Sequence, residues 1–511
     1  MQLSPVQKDR AAGVLLGQAI GDALGVPYEF KPPIAAGAAF MTGGGLGPYS
    51  PGEWSDDTQM AVCIAQVSAS GGDLTGGHSL ADIAKGFYKW RHNGASDIGN
   101  QTRAVIDKAA LMIGGAAMDA SMSKWELDTE WFRAFQQAAA DYSETHPKSA
   151  GNGALMRNGI VGLTRLANRE ATAAAALAVA ALTHADPLVG ASCVLHAEAV
   201  RVAVIEGRLD IRAGLDLLAD DERVQWGEWI DEAEREDPKS FKDNGFTVTA
   251  FQAAWSAIFH TMCEQPTPDH VNDALQLAIS IGHDTDTVAA IAGALLGARY
   301  GVSGLRHDWR QQVHGWPGLD AHDLIRLGLQ TAMAGVGQPI LDGKWPSIAT
   351  TGRESRTLGV QLPADPGVVL GTEADLPRVA ELGCDAAVSL SRLGTDDRRP
   401  TGVTKHLEQW LVDREDPADN GDLAWALHDS ADAVRDLRDS AEQRVLLHCA
   451  RAEHRTPAVA LLYAVKHCHQ PPTEAANDIR KALGRSVIDG LLWRTAMAEA
   501  AAVECQWSPQ E

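Results

Sequence analysis

Two short acidic clusters hold the residues best suited to chemistry in this chain. The first is Trp54-Ser55-Asp56-Asp57-Thr58. The second, more than two hundred residues later, is His283-Asp284-Thr285-Asp286-Thr287. Each sets two carboxylates beside hydroxyls. Carboxylates gathered in one partly dry site repel one another by roughly several kcal/mol. Hard divalent cations relieve that repulsion, because Mg²⁺ and Mn²⁺ favour oxygen donors in octahedral geometry. Two such ions about 3.5–4 Å apart can clamp a substrate and activate water. Taken singly, either cluster also reads as an ordinary helix start, since Ser, Asp and Thr are common caps and acids in a first turn complement the helix dipole. The occurrence of two matched clusters is what favours a metal site.

Helices must position these clusters. Each opens onto an apolar run, Met60-Ala61-Val62-Cys63-Ile64 and Val288-Ala289-Ala290-Ile291-Ala292. Near the start, Gly13, Gly17, Gly21 and Gly25 recur every fourth residue, which lets one helix approach its neighbours closely. Gln18 and Asp22 interrupt that run, so it reads as a buried helix of a soluble protein. Three polar motifs follow, Ser96-Asp97-Ile98-Gly99-Asn100, Gly151-Asn152-Gly153-Ala154-Leu155-Met156-Arg157 and Thr183-His184-Ala185-Asp186-Pro187. Gly151 and Gly153 let backbone approach a ligand, and exposed N–H groups there suit a pyrophosphate. A cleft lined by Gly151, Asn152, Gly153 and His184 is therefore expected to bind a pyrophosphate-bearing ligand.

In this order the motifs resemble the ADP-ribosylglycohydrolase family, over roughly residues 8–335. The resemblance implies an all-α fold, two Mg²⁺ (or Mn²⁺) ions and the removal of ADP-ribose from modified proteins or related small molecules. Carried over residue by residue, it makes Ser55, Asp56, Asp57, Asp284, Asp286 and Thr287 metal ligands. Ser55 stands where the family often has Thr, and His283 where it commonly has Gly. Asp97 matches an acidic residue at the ribose end. Glu29 matches a glutamate near the metals in some members. Phe246 is the candidate for an aromatic facing the nucleotide.

Composition agrees with a cytoplasmic enzyme. A length of 511 residues predicts two or more domains. A net charge of −23 argues against phosphate-backbone binding, so nucleic acid is not an expected partner. Seven scattered Cys without paired C-x-x-C spacing suit reduced thiols. No run of about 18 apolar residues free of charge or helix breakers is seen, which argues against membrane insertion. No strand pattern is evident before residue 350. The strongly charged stretch Trp226–Asn244 reads as an exposed insertion or loop.

Composition changes after about residue 336. Gly, Pro, Ser and Thr become frequent between Gly335 and Pro366, which marks a linker. The expected organisation is a first domain over 1–340, a linker over 341–359 and a second domain over 360–511. In the latter, Ala386–Leu390 and Arg444–His448 read as short buried strands between helical patterns, predicting an α/β unit with a small parallel sheet. The second strand runs into Cys449-Ala450-Arg451-Ala452-Glu453-His454-Arg455-Thr456 and then an apolar helix. Such a loop can aim backbone N–H groups and a helix N-terminus at a phosphate, with Arg455 gripping two oxygens. Cys449 would attack phosphorus. The arrangement resembles the tyrosine/dual-specificity phosphatase family, over roughly residues 360–500. A proton donor is then required; Asp416 is the candidate and Asp413 the alternative. Ala452 stands where that family usually has Gly, and Glu453 sets a negative charge beside the loop.

The leading expectation is a metal-dependent hydrolase acting at the ribose C1″ bond of an ADP-ribosyl group, with Asp97 or Glu29 assisting proton movement. Two alternatives stand beside it. One is a non-catalytic ADP-ribose reader. The other places the activity in a phosphatase-like second domain.

Overall fold

The computed structural model describes residues 1–117, 124–338, 355–391, 393, 403, 405–439 and 443–507. The chain divides into two compact units. One comprises Met1–Leu305 with Gln312–Ile340, the other Arg306–Gln311 with Leu341–Glu511. Most of the expected linker falls outside the described residues.

The first unit is helical. In chain order it carries α1 (Pro5–Gly25), α2 (Asp56–Ala69), α3 (Gly77–Asn93), α4 (Asn100–Ala117), α5 (Lys124–Thr145), α6 (Arg169–Ala180), α7 (Pro187–Glu206), α8 (Asp220–Arg235), α9 (Thr247–Thr261), α10 (Asp269–Ser280) and α11 (Thr285–Tyr300). The short α12 (His307–Gln312) falls almost wholly in the second unit, and α13 (Ala321–Gly335) belongs to the first.

Helix α1 begins at a capping box. Ser4 Oγ accepts the Gln7 N–H at 3.3 Å, and Gln7 Oε1 accepts the Ser4 N–H at 3.0 Å, with Pro5 in the first helical position. From Ala11 onward the helix is buried all round. Its broadest contact is with α11, itself almost wholly buried. The glycine stripe explains that closeness. A Cβ placed on Gly17 would lie 2.3 Å from the Gly293 carbonyl oxygen, and one on Gly21 would lie 2.0 Å from that of Ala289. The two backbones therefore touch along small residues, and this seam brings the C-terminal end of α1 to the N-terminal end of α11. Burial of Leu15, Leu16, Ile20 and Leu24 on the remaining faces contributes about 1.5–3 kcal/mol per side chain.

Helix α7 is long and apolar enough to cross a membrane by composition, and 78% of its most apolar window is buried inside the protein, the pattern of a core helix. It starts with Asp186 accepting the Leu188 N–H ahead of Pro187, and ends at left-handed Gly207.

Two expectations for this unit need correction. The charged stretch from Trp226 is mostly helix α8, not a loop. Trp226, Ile230 and Ala233 bury one narrow face, and the many acids occupy the rest. A short antiparallel pair, β1 (His314–Gly315) and β2 (Leu319–Asp320), also precedes residue 350.

The second unit is α/β. Strands β3 (Val360–Leu362), β4 (Asp365–Thr372), β5 (Ala386–Ser389), β6 (Lys405–Glu408) and β7 (Val445–Cys449) form one sheet in the order β3-β4-β7-β5-β6. Only β3 runs antiparallel to its neighbour. Val388 pairs with Leu447 at the centre. Helices α14 (Leu423–Asp439), α15 (Arg455–Cys468), α16 (Pro472–Ala482) and α17 (Leu491–Trp507) complete the unit. Val445 and Leu447 belong to one core cluster and Leu446 to another, so the central strand is buried on both faces. Strand β3 begins at Val360, so the Gly-, Pro-, Ser- and Thr-rich stretch that ends at Pro366 runs into the sheet.

Candidate active site

Residues from three helices converge where α1, α2 and α11 meet. Carboxylate oxygens of Asp22, Asp57 and Asp286 lie within 4.8 Å of one another, as do those of Glu29, Asp284 and Asp286. Asp286 belongs to both groups. Local structure explains the convergence. The Phe30 N–H donates to the His283 carbonyl oxygen at 2.7 Å, which holds Glu29 over the second cluster. The Thr285 hydroxyl donates to the Gly25 carbonyl at 2.8 Å, and a Cβ on Gly25 would lie 2.4 Å from the Asp286 Cα.

The arrangement separates ligand from cap. Ser55 and Asp284 occupy the N-cap positions of α2 and α11, yet neither side chain caps its helix. Asp22 serves α2 instead. Its Oδ1 accepts the Ser55 N–H at 2.8 Å and the Ser55 hydroxyl at 2.7 Å, and its Oδ2 accepts the Thr58 N–H at 3.0 Å. Ser55 Oγ also lies 3.1 Å from Asp57 Oδ2 and 3.3 Å from Asp286 Oδ2. One hydroxyl hydrogen thus faces three carboxylates. Thr287 adds its N–H to Asp286 Oδ1 at 3.0 Å.

This electrostatics is unfavourable without cations. Burial, partly opposed by hydrogen bonds from Thr58 and Ser55, raises Asp22 to about 6. Burial first, then the charges of Asp284, Asp56, Asp97 and Asp22, raises Glu29 to about 9. Asp56, Asp57 and Asp286 are pushed well above the ordinary carboxylate range, chiefly by burial and then by neighbouring acids. Burial raises Asp284 as well, against hydrogen bonds from Asn152 and Thr287. Asp57 Oδ1 is buried with no hydrogen-bond partner. An all-oxygen donor set with crowded carboxylates and an orphaned lone pair fits hard divalent cations.

The remaining expected residues surround this centre. Asn152 Nδ2 donates to Asp284 Oδ2 at 2.7 Å and to the Asn244 carbonyl at 2.9 Å. Gly151 bridges to Phe246, which is 41% exposed at the start of α9. A Cβ on Gly153 would lie 3.1 Å from His184 Cε1, so His184 backs the glycine turn. Burial, then the Arg157 charge, lowers His184 to about 3, and the ring is neutral. Asp97 is partly exposed, accepts the Ile98 N–H at 2.8 Å, and raises both Asp56 and Glu29. Asp56 falls in neither three-carboxylate group.

Sequence reading missed four residues here. Asp22 was visible only as a polar interruption of an apolar helix. Buried Asn244 accepts the Asp284 N–H at 3.0 Å and donates to the Gly282 carbonyl at 3.0 Å, fixing the turn before α11. Arg157 donates to the Gly153 carbonyl and to Thr183 Oγ1 at 2.7 and 2.6 Å. Tyr49 is buried with an unpartnered hydroxyl; burial, then Asp56 and Asp22, raises its phenol. His283 has φ +62°, a backbone conformation that glycine adopts more readily than other residues.

In the second unit, Cys449 ends β7 and is buried, and Arg455 opens α15. Arg455 Nη1 donates to the carbonyls of Leu411 at 3.2 Å and Leu390 at 3.5 Å, while its Nε is buried without a hydrogen bond. Ala452 has φ +50°. Asp416 is exposed, and its carboxylate accepts the Ala418 N–H at 2.9 Å. Asp413 lies 2.9 Å from His454 Nδ1; despite burial, that bond and the charge of Arg455 hold it below the usual range. These contacts favour the carboxylate form of Asp413.

The features of the first unit agree with the family that the chain matches. The ADP-ribosylglycohydrolase family model matches residues 3–338. The ADP-ribosylarginine hydrolase Tri1 of Serratia proteamaculans is 28% identical over 60% of this chain and 75% of its own length. The ADP-ribosyl-[dinitrogen reductase] glycohydrolase of Rhodospirillum rubrum is 30% identical over 60% of this chain and 92% of its own. A solved mouse dual-specificity phosphatase is 20% identical over 32% of this chain and all of that one, with a TM-score of 0.26. The chain belongs to the ADP-ribosylglycohydrolase family, a family of hydrolases.

Proposed function

We propose that the first unit removes ADP-ribose from an arginine side chain of a modified protein by hydrolysing the bond at ribose C1″. The observation that carries this reading is the pair of carboxylate groups, Asp22-Asp57-Asp286 and Glu29-Asp284-Asp286, joined through Asp286. Arginine is favoured because the Serratia relative is an ADP-ribosylarginine hydrolase. Ser55, Asp57, Asp284, Asp286 and Thr287 would hold two Mg²⁺ or Mn²⁺ ions, with Asp22 positioning Ser55 and Asp56 at their edge. Bound there, such ions supply Lewis-acid polarisation and a water of lowered pKa. The protein's own residues do the rest. Asp97 lies outside both groups and accepts a ribose hydroxyl. Glu29 moves a proton between water and the leaving nitrogen through its carboxylate. Gly151 and Gly153 leave room for the diphosphate, Asn152 and Asn244 fix Asp284, His184 supports the glycine turn, and Phe246 offers its exposed ring to the nucleotide. The test is ADP-ribose release from arginine-linked and serine-linked proteins with Mg²⁺ or Mn²⁺. Release from the arginine linkage is expected, and release from the serine linkage alone would overturn the assignment.

A second reading concerns the Cys449–Arg455 loop. Left-handed Ala452 and the strand-loop-helix order support a phosphatase-like loop that binds an oxyanion. The exposure of Asp416 and the bond between Asp413 and His454 favour binding over rapid turnover. A full-length protein that neither binds vanadate nor hydrolyses an aryl phosphate, with Arg455→Ala indistinguishable from wild type, would refute this reading.

A further inference from the structure

The second unit contains a cleft on the flank of the Cys449–Arg455 loop, lined by its Arg451, Ala452 and Glu453 but by neither Cys449 nor Arg455. It has a volume of about 810 Å³, and its lining includes Arg356, Thr372, Arg451, Glu453 and Arg485. That is the size of a small-molecule site rather than a packing defect. Its charge is unusual in a chain of net charge −23. Three guanidinium groups face one carboxylate. Glu453 lies 3.2 Å from Arg451 and 3.7 Å from Arg485, and those side chains are each about a third exposed. Glu453 therefore offsets only part of the positive charge. Arg356 is exposed and has no carboxylate partner among the described residues. Its backbone is nevertheless fixed, because the Thr372 hydroxyl donates to the Arg356 carbonyl at 2.7 Å. Beside it the Ser355 hydroxyl donates to the Ala450 carbonyl at 2.6 Å. Those two bonds tie the segment to the end of β4 and to the loop after β7. A held, wet, cationic cleft with several forked donors matches vicinal anionic groups, since guanidinium pairs phosphate oxygens in parallel.

We propose that this cleft binds a small phosphorylated ligand carrying two adjacent anionic groups, of the diphosphate-ester class. One anionic group sits between Arg356 and Arg485, and the other displaces Glu453 from Arg451. The cleft shares Arg451 and Glu453 with the Cys449–Arg455 loop, but the inference does not require an anion held by Cys449 and Arg455.

The test is calorimetric titration of the full chain with inorganic pyrophosphate and, separately, orthophosphate, with EDTA present so that the carboxylate centre holds no metal. Pyrophosphate is expected to bind more tightly than orthophosphate. Arg356→Ala and Arg485→Ala should each weaken it about tenfold, the loss of one charge-assisted contact. Glu453→Gln should tighten it severalfold by removing the competing carboxylate. Both arginines are surface groups, and unchanged melting curves will show the variants folded. Pyrophosphate affinity unaffected by either arginine variant, or weakened by Glu453→Gln, would overturn the proposal. Arg455→Ala separates the two ideas: if it alone abolishes all binding, the anion sits in the loop and the cleft is not a site.

Discussion

Asp22 Oδ1 accepts both the backbone N–H and the hydroxyl of Ser55, at 2.8 and 2.7 Å. A side chain on α1 thereby does the capping that Ser55 would do for α2 and turns the Ser55 hydroxyl toward Asp57 and Asp286. This relationship converts what would be a helix start into a set of converging oxygen donors. Asp22→Asn should keep the fold and weaken Mn²⁺ binding by roughly 10–100-fold. Isothermal titration of the metal-free protein reads this directly, and unchanged affinity would refute the role given to Asp22.

The glycine seam predicts a steep structural penalty. A methyl group on Gly21 would overlap the Ala289 carbonyl, with no flexible side chain to yield. Gly21→Ala should destabilise the first unit by about 3 kcal/mol or more, at the upper end of overpacking costs. Gly114, where a Cβ meets nothing within 4 Å, is the control, and Gly114→Ala should be tolerated. Melting of the two variants side by side checks this.

The acidic centre sets a pH dependence. Asp22 and Glu29 have folded pKa values raised to about 6 and about 9, above their unfolded values near 4. The folded state then binds more protons than the unfolded state, so stability falls as pH rises. For Asp22 the loss runs from pH 4 to about 6, and for Glu29 from pH 4 to about 9. In EDTA, the melting temperature of the first unit should decline from pH 5 to 8. Added Mg²⁺ or Mn²⁺ should reverse the decline at pH 8 by binding the native state. A melting temperature that rises with pH in EDTA would contradict this.

Ala452 adopts φ +50°, a conformation that costs an L-residue roughly 1 kcal/mol and glycine little. Ala452→Gly should slow amide exchange across β7 and the start of α15. Faster exchange would show that the loop gains nothing from relief of that strain.

Much of the centre was legible because its residues cluster in sequence: Ser55 to Asp57 and Asp284 to Thr287 are short motifs, and Glu29 follows the glycine stripe. Asp22 and Asn244 were not, because a single buried polar residue in a helix or turn gives no local pattern. Their partners lie 33 and 40 residues away. The same logic holds for the fold. The apolar runs of β5 and β7 announced themselves, as strands buried on two faces do. Strand β4 was hidden by Asp365-Pro366-Gly367, and edge strand β6 by the polar Lys405-His406-Leu407-Glu408. Helix α8 was hidden by the acids around its narrow buried face.

We propose that the shared carboxylate Asp286 joins two groups that hold metal for hydrolysis of an ADP-ribosyl bond. The most direct measurement is ADP-ribose release from an arginine-linked substrate by wild type and Asp286→Ala, each with Mn²⁺ and with EDTA. Release is expected from wild type only with metal, with at least a ~100-fold loss in the variant, whose helical circular dichroism is retained. Equal release in EDTA, or an Asp286→Ala variant as active as wild type, would contradict it.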